Sequence, residues 1–351
     1  IAYSKKRKCL ISAVYTSWKK ERYFFDKEFE ALYNKVKNKF PDYEVGIVDM
    51  TKEEDKYIIA TYSDKMQGVY YLYDVATDNT DKLAEVTPWL KEEKMAEMKP
   101  VEFQSRDGLK IPGYLTLPKG IEAKNLPVII NVHGGPWHRD SWGYNPEVQF
   151  LASRGYAVLQ INFRGSTGYG KKFWEASFKQ WGKNMQNDIT DGVEWLIKEG
   201  IADPKKVCIY GASYGGYATL AGLTFTPDLY ACGVDYVGVS NLFTFMKTIP
   251  PYWKPLLDMM YEMVGDPKKD SLLMREASPV YHAEKIKVPL FVAQGANDPR
   301  VNKAESDQMV EALKKKGIDV EYMVKENEGH GFHNEENRFD FYRSMIKFVD
   351  K

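Results

Sequence analysis

Apolar positions recur along this chain in two textures, and the change between them falls near residue 95. Before it, short alternating runs at residues 9–18, 43–50, 56–62 and 69–75 predict strands, the last three joined by polar turn-rich stretches at 51–55 and 63–68. Between the first two runs, Phe29, Leu32, Tyr33, Val36 and Phe40 stand at helical spacing and stop before Pro41, which predicts an amphipathic helix over residues 26–40. Three or four strands of this spacing amount to one blade of a propeller, whereas closure takes about four blades. Residues 1–95 therefore read as a partial β-propeller-like region, either the tail of a longer propeller or a reduced, mainly antiparallel β-subdomain.

A charged connector at residues 87–100 follows, and the second domain is expected to run from 96 to 351. It opens with a hairpin signal, Arg106-Asp107-Gly108 between apolar runs. Continuous β-branched runs then appear at residues 127–132, 157–162, 207–210, 233–239, 289–293 and 320–324. Helical patterns at 147–153, 170–180, 189–199, 214–224, 304–315 and 335–349 alternate with them. Such alternation predicts a mostly parallel, doubly wound sheet with helices on both faces.

The chemically suggestive residues all follow strands. The run ending at residue 210 leads into Gly211-Ala212-Ser213-Tyr214-Gly215 and then a buried helical pattern, the strand, tight turn and helix of a G-x-S-x-G nucleophile elbow. Asp298 comes directly after the strand ending at 293, and His330 lies in the Gly-flanked loop after the last strand. Ser, Asp, His is the chain order of α/β-hydrolases. A serine nucleophile needs a base for its proton and a carboxylate to orient that base, so these three are the expected triad. Donors for the developing oxyanion are expected from the N–H of Tyr214 and from Gly135, whose loop His133-Gly134-Gly135 is like the H-G-G-G loop of lipases and esterases. His133 is assigned an orienting role, and His138, His282 and His333 structural or exposed ones. The long segment at 241–280, rich in aromatics and methionines, is expected to shape a substrate pocket through Tyr252 and Trp253.

Composition narrows the partners. With 49 acidic and 49 basic residues, nothing suggests a polyanion-binding surface, so nucleic acid is not expected. No apolar run reaches the eighteen or so residues of a membrane span. No cluster has metal-ligand spacing, and neither a metal nor an organic cofactor is expected. The three cysteines, Cys9, Cys208 and Cys232, do not form a disulfide framework and leave the redox compartment open. Ile1 is not a start Met and the first residues do not read as a signal peptide, which suggests a processed chain or a fragment from which any targeting sequence could have been removed; cytoplasm and periplasm both remain open. Homo-oligomers are compatible with this composition.

Taken together, H-G-G-P, the stretch Q-F-L-A-S-R-G-Y-A-V-L-Q-I-N-F-R-G-S-T-G-Y-G, G-A-S-Y-G-G-Y, G-A-N-D-P-R-V and E-G-H-G-F resemble the catalytic domain of the prolyl oligopeptidase family of serine peptidases, from about residue 100 to the end. The H-G-G-P loop and D-x-R motif are more similar to its acylaminoacyl-peptidase and dipeptidyl-peptidase-like branch. That resemblance implies an α/β-hydrolase fold and hydrolysis of short or unstructured peptides through an acyl-enzyme. It also implies that Arg300, in D-x-R, reaches a substrate carbonyl. In that family a β-propeller precedes the catalytic domain, and residues 1–95 supply little more than one blade of it. Two alternatives stand beside this expectation: a carboxylesterase using the same triad on small esters, and a non-catalytic binding protein on a hydrolase scaffold, against which the intact Ser213, Asp298 and His330 argue.

Overall fold

The computed structural model describes residues 1–351. These divide into two compact units. The first comprises Ile1–Pro100, Thr116–Gly120 and Ser141–Arg154. It holds a three-stranded antiparallel sheet, β1 (Ala2–Ser4), β2 (Cys9–Thr16) and β3 (Lys20–Phe24), and a four-stranded antiparallel meander, β4 (Glu44–Met50), β5 (Lys56–Tyr62), β6 (Val69–Asp74) and β7 (Asn79–Glu85). Helix α1 (Lys27–Asn38) begins where the Asp26 carboxylate accepts the Phe29 N–H at 2.7 Å, a cap worth about 1 kcal/mol. Its acidic first turn and basic last turn suit the helix dipole. Its buried face, Phe29 and Val36, joins Ile11, Val45, Tyr57, Ile59 and Tyr73 in one apolar core. Helix α2 (Pro146–Ser153) belongs to this unit through the buried Gln149, whose amide donates to the carbonyls of Asp64 (2.9 Å) and Ala96 (2.8 Å) and accepts the Ala96 N–H (2.8 Å).

The second unit carries an eight-stranded, mixed and mostly parallel sheet built from β8 (Met98–Gln104), β9 (Lys110–Thr116), β10 (Leu126–Val132), β11 (Ala157–Ile161), β12 (Ala202–Ala212), β13 (Cys232–Tyr236), β14 (Leu290–Gly295) and β15 (Val320–Lys325). Its order is β15-β14-β13-β12-β10-β11-β9-β8, with every pair from β11 through β15 parallel. The middle strands are buried on both faces, which is why they read as unbroken apolar runs: Val128, Ile129, Ile130, Val158, Leu159 and Ile209 have no exposed surface. Each such side chain contributes about 1.5–3 kcal/mol on burial. Helices α3 (Lys171–Glu175), α4 (Asn184–Lys198), α5 (Tyr214–Phe225), α6 (Leu242–Lys247), α7 (Leu257–Met263), α8 (Ser271–Glu276), α9 (Ala304–Lys315) and α10 (Glu335–Val349) complete the unit. None is long and apolar enough to cross a membrane.

The chain steps from β10 outward to β11, then returns to the other side of β10 with β12 and continues through β13, β14 and β15. That reversal opens a crevice between the loops that follow β10 and β12, where open α/β sheets bind their ligands. Next to it, the buried Arg164 after β11 forks onto Asp188 of α4 (2.7 and 2.8 Å) and Asp107 of the β8–β9 hairpin (2.7 and 3.0 Å). Burial works against the guanidinium's charge, but the hydrogen bonds to Asp188 and Asp107 outweigh it and raise its pKa. Arg106 in the same hairpin tip binds Asp191 of α4 at 2.6 and 2.9 Å, so the turn foreseen at residues 106–108 is tied to α4 once directly and once through Arg164.

Several elements depart from expectation. The helix expected over 170–180 is only α3, five residues long, because the chain turns away with Lys179 at φ 55° and Gly182 at φ 68°. Helix α4 starts at Asn184, five residues before the apolar period becomes legible. Strands β1, β3 and β7 were not foreseen; β7 is almost entirely exposed, so no alternation marks it.

Candidate active site

Strand β12 is followed directly by Ser213, which adopts φ 60° and ψ −116° before α5 begins. That conformation costs an L-residue on the order of 1–3 kcal/mol and persists only where its surroundings enforce it. The surroundings here are close backbone contacts: a Cβ at position 211 would lie 2.5 Å from the Val132 carbonyl oxygen, and one at 215 only 2.0 Å from it. Glycine at both positions lets the turn press against the end of β10. The Ser213 N–H donates to the Tyr236 carbonyl (2.9 Å), pinning the turn to β13 as well. Every residue from Tyr214 to Thr224 is buried, so the turn is mounted on a helix with no exposed face to yield.

The three residues foreseen as a triad come together. His330 Nε2 lies 3.0 Å from Ser213 Oγ, and His330 Nδ1 lies 2.7 Å from Asp298 Oδ2. The Asp298 side chain is fully enclosed and that of His330 is 15% exposed. Enclosure of a carboxylate is tolerable only with donors around it, and Asp298 Oδ1 accepts the backbone N–H groups of Arg300 (2.8 Å) and Val301 (2.9 Å). With these two donors on Oδ1, Oδ2 holds the imidazole and also accepts the Gln294 side-chain amide at 3.4 Å.

The loop carrying His330 is fastened by groups that sequence reasoning missed. Glu328, 3% exposed, accepts the N–H groups of His333 (2.8 Å) and Asn334 (2.9 Å) and the Asn337 side-chain amide (2.8 Å). Burial pushes the Glu328 pKa up, but these hydrogen bonds outweigh it and leave the carboxyl below its ordinary value. The Phe332 N–H donates to the Tyr236 hydroxyl, linking the same loop to the strand that holds the elbow. The E-G-H spelling was visible in the sequence, but nothing in it showed that the Glu closes the loop on itself.

Beside Ser213 lies a cavity of about 230 Å3. Gly135, Tyr214 and Arg300 line it, together with Trp137, Trp181, Phe245, Trp253, Met259 and Met260. Tyr214 heads α5, so its N–H has no partner within the helix. Gly135, at φ 127° and followed by a cis peptide bond to Pro136, adopts a backbone conformation that a side chain would resist. The segment after β13 contributes Phe245, Trp253, Leu256, Met259 and Met260 to the lining, whereas Tyr252 is not part of it and is 57% exposed. Arg300 is exposed, and its guanidinium has no carboxylate within ion-pairing distance. His133 does not approach Ser213: its Nε2 meets Ser166 Oγ at 2.9 Å and its ring stacks on Phe163. Burial lowers its pKa to about 4, so it is neutral at physiological pH and serves to brace the loop after β10.

One buried carboxyl nearby was read only as part of a core strand. Asp235 on β13 is wholly enclosed, and neither of its oxygens meets a hydrogen-bonding partner of good geometry. Gly216 of α5 and Gly238 crowd Oδ1 so closely that a Cβ on either would stand 2.4 or 2.1 Å from it. Burial raises its pKa to about 7; the neighbouring Glu305 carboxylate adds to the rise, and the Gly238 N–H moderates it.

A serine lifted on a strained strand-to-helix turn, reached by a histidine that a buried carboxylate orients, defines this molecule as an α/β-hydrolase. Comparison with known proteins goes one step further. Residues 142–351 match the model of the prolyl oligopeptidase family, and the chain belongs to that family. It is 45% identical over 307 residues to dipeptidyl aminopeptidase BIII of Pseudoxanthomonas mexicana, covering 85% of this chain and 45% of the relative. It is 35% identical to dipeptidyl peptidase family member 6 of Caenorhabditis elegans, over 98% of this chain and 50% of the relative. Among solved structures, an acylaminoacyl peptidase in complex with Z-Gly-Gly-Phe-chloromethyl ketone superposes with a TM-score of 0.75 at 27% identity, over 85% of this chain and 48% of that one. The chain thus spans about half the length of the curated relatives it matches.

Proposed function

We propose that this chain carries the catalytic machinery of a serine peptidase that cleaves short or unstructured peptides through an acyl-enzyme. The relay from Ser213 through His330 to Asp298, at 3.0 and 2.7 Å, carries this reading. His330 Nε2 takes the proton from Ser213 Oγ as the oxygen attacks the scissile carbonyl, and Asp298 stabilises the resulting imidazolium. The N–H groups of Tyr214 and Gly135 receive the negative charge that develops on the carbonyl oxygen, each contributing about 3 kcal/mol to the transition state. His330 then returns the proton to the leaving amine, and water repeats the sequence on the ester.

The cavity beside Ser213 takes an apolar side chain on the acyl side of the bond, with Trp253, Met259 and Met260 among its walls. Arg300, exposed and without an ion-pair partner, is assigned to a carbonyl oxygen of the bound peptide; Tyr252 has no place in this arrangement. The domain reading is likewise proposed: residues 96–351 as the catalytic domain and 1–95 as a propeller-like region, in which β4 to β7 have the four-stranded meander form of one blade.

Both relatives are named as dipeptidyl peptidases, which favours amide over ester substrates. The test is turnover of aminoacyl anilides with apolar residues against the matching ester. Measurable anilide hydrolysis that rises with the size of the apolar residue supports the reading. Turnover of the ester alone refutes it in favour of a carboxylesterase.

A further inference from the structure

The catalytic reading uses the carboxyl ends of the parallel strands, and it leaves Cys208 and Cys232 unexplained. Both are free thiols. Cys208 sits in β12 and Cys232 begins β13, and the two are direct partners in the parallel register. Residues paired this way project from the same face of the sheet, on strands about 4.7–4.9 Å apart. Both line a cavity of about 670 Å3 at the amino ends of the strands, at the opposite edge of the sheet from Ser213. Lys205, Lys206 and Lys351 share that lining with Asp319, Glu321 and Asp350, so the thiols face a polar space of balanced charge that water and small solutes can enter. Their depths differ: Cys208 is 3% exposed, whereas Cys232 is only partly buried. The chemistry divides in the same way. A hydrogen bond from Cys208 lowers the Cys232 pKa, while that same contact and burial raise the pKa of Cys208. Cys232 is therefore the more nucleophilic sulfur and the one nearer the opening, and Cys208 stands behind it.

We propose that Cys208 and Cys232 form a redox-active dithiol, which a small two-electron oxidant such as hydrogen peroxide converts into a reversible disulfide between β12 and β13. The Cys232 thiolate attacks one peroxide oxygen, breaking the O–O bond and releasing hydroxide, which takes up a proton to become water; a sulfenic acid remains on Cys232. The Cys208 sulfur then displaces that hydroxyl as a second water, with loss of its own proton. Two thiols and one peroxide thus give one disulfide and two waters. The strand spacing lies within the Cα separation of about 4.4–6.8 Å that disulfides span, so the bond can close in the existing register. Reversibility follows from the partial exposure of Cys232, because exposed disulfides are the readily reduced ones.

The test uses the whole chain, treated with hydrogen peroxide, blocked with iodoacetamide and digested without reductant for mass spectrometry. The expected product is a Cys208–Cys232 linked peptide that disappears on brief exposure to dithiothreitol in the folded state. Cys9, in the other compact unit, is an internal control. In Cys208→Ser, oxidation is expected to stop at a Cys232 sulfenic acid that dimedone traps, with a rate close to that of the parent. In Cys232→Ser, oxidation at Cys208 is expected to slow by about tenfold or more, since the exposed thiolate is gone. Oxidation of Cys9 with no linkage between Cys208 and Cys232 overturns the proposal. So does a linkage that resists dithiothreitol until the protein is unfolded. The parent experiment stands even if either variant fails to fold.

Discussion

Replacing Asp235 with asparagine tests the account of the strand beneath the elbow, because it removes a titration and leaves the shape of the side chain unchanged. In the folded protein burial raises the Asp235 pKa from the ordinary 3.8 to about 7. Each unit of such a shift corresponds to about 1.4 kcal/mol, so the full difference is on the order of 4 kcal/mol. The folded state holds this proton more tightly than the unfolded chain does. Its stabilising contribution is therefore complete below the unfolded carboxyl value and is lost progressively as pH rises from about 4 to about 7. Above that range the folded protein carries an unpaired buried carboxylate close to Gly216 and Gly238, with Glu305 adding repulsion. Asparagine cannot ionise, so the Asp235→Asn protein should match the parent near pH 4 to within about 1 kcal/mol and already exceed it by about 1.7 kcal/mol at pH 5. By pH 8 it should be more stable, by up to about 4 kcal/mol. Urea unfolding of both proteins at pH 4, 5, 6, 7 and 8, followed by tryptophan fluorescence, measures the difference directly. Other titrating groups are common to both proteins and cancel. Parallel curves, with a constant gap between parent and variant at every pH, would refute the argument.

Three further outcomes follow from named contacts. Asp188→Ala leaves the buried Arg164 with Asp107 as its one remaining carboxylate and strips its backbone N–H of an acceptor, and should cost about 1.5–3 kcal/mol by urea unfolding, the worth of hydrogen bonds to a charged group; a loss under about 1 kcal/mol would show that the fork contributes little. Arg300→Ala should lower kcat/KM on peptide substrates about ten- to two-hundredfold, the worth of a charge-assisted hydrogen bond, and spare a minimal acetyl ester. Equal losses on both substrates, or a large fall in Tm, would assign Arg300 to the loop that holds Asp298. Trp253→Ala should narrow the discrimination between large and small apolar acyl residues, because its ring walls the cavity beside Ser213; unchanged relative kcat/KM values across such a series would remove it from the pocket.

What the sequence revealed depended on whether a residue's role was local. The elbow was legible because part of the demand for glycine is met within five residues: a Cβ at 211 would stand 2.7 Å from Gly215 Cα, while the approach of the distant Val132 carbonyl to both glycines could be seen only in the structure. The parallel strands were legible because burial on both faces leaves unbroken apolar runs. Strand order was not, since nothing within a run says that β12 returns to the far side of β10. Strand β7 escaped notice because its exposed residues, Asn79 to Glu85, lack a period, and its pairing comes from β6. Helix α2 could be foreseen from its pattern, but its membership of the first unit rests on one buried amide, Gln149, whose partners are 53 and 85 residues away. Glu328 and Asp235 failed for a related reason: an acidic residue in a sequence looks the same whether it is capped, orphaned or in solvent. Tyr252 and Trp253 were adjacent and equally aromatic, yet only Trp253 faces the cavity.

The central claim is that Ser213 is the nucleophile, activated through His330. Its most direct test is intact-mass measurement after treatment with a fluorophosphonate, on the parent and on Ser213→Ala, alongside hydrolysis of an aminoacyl anilide. The account predicts one adduct per chain, mapped to Ser213, with loss of hydrolysis in step with labelling; the Ser213→Ala protein should remain folded, take up no label and keep no more than roughly a thousandth of the parent rate. An adduct on another residue, or anilide hydrolysis that survives the substitution, would contradict it.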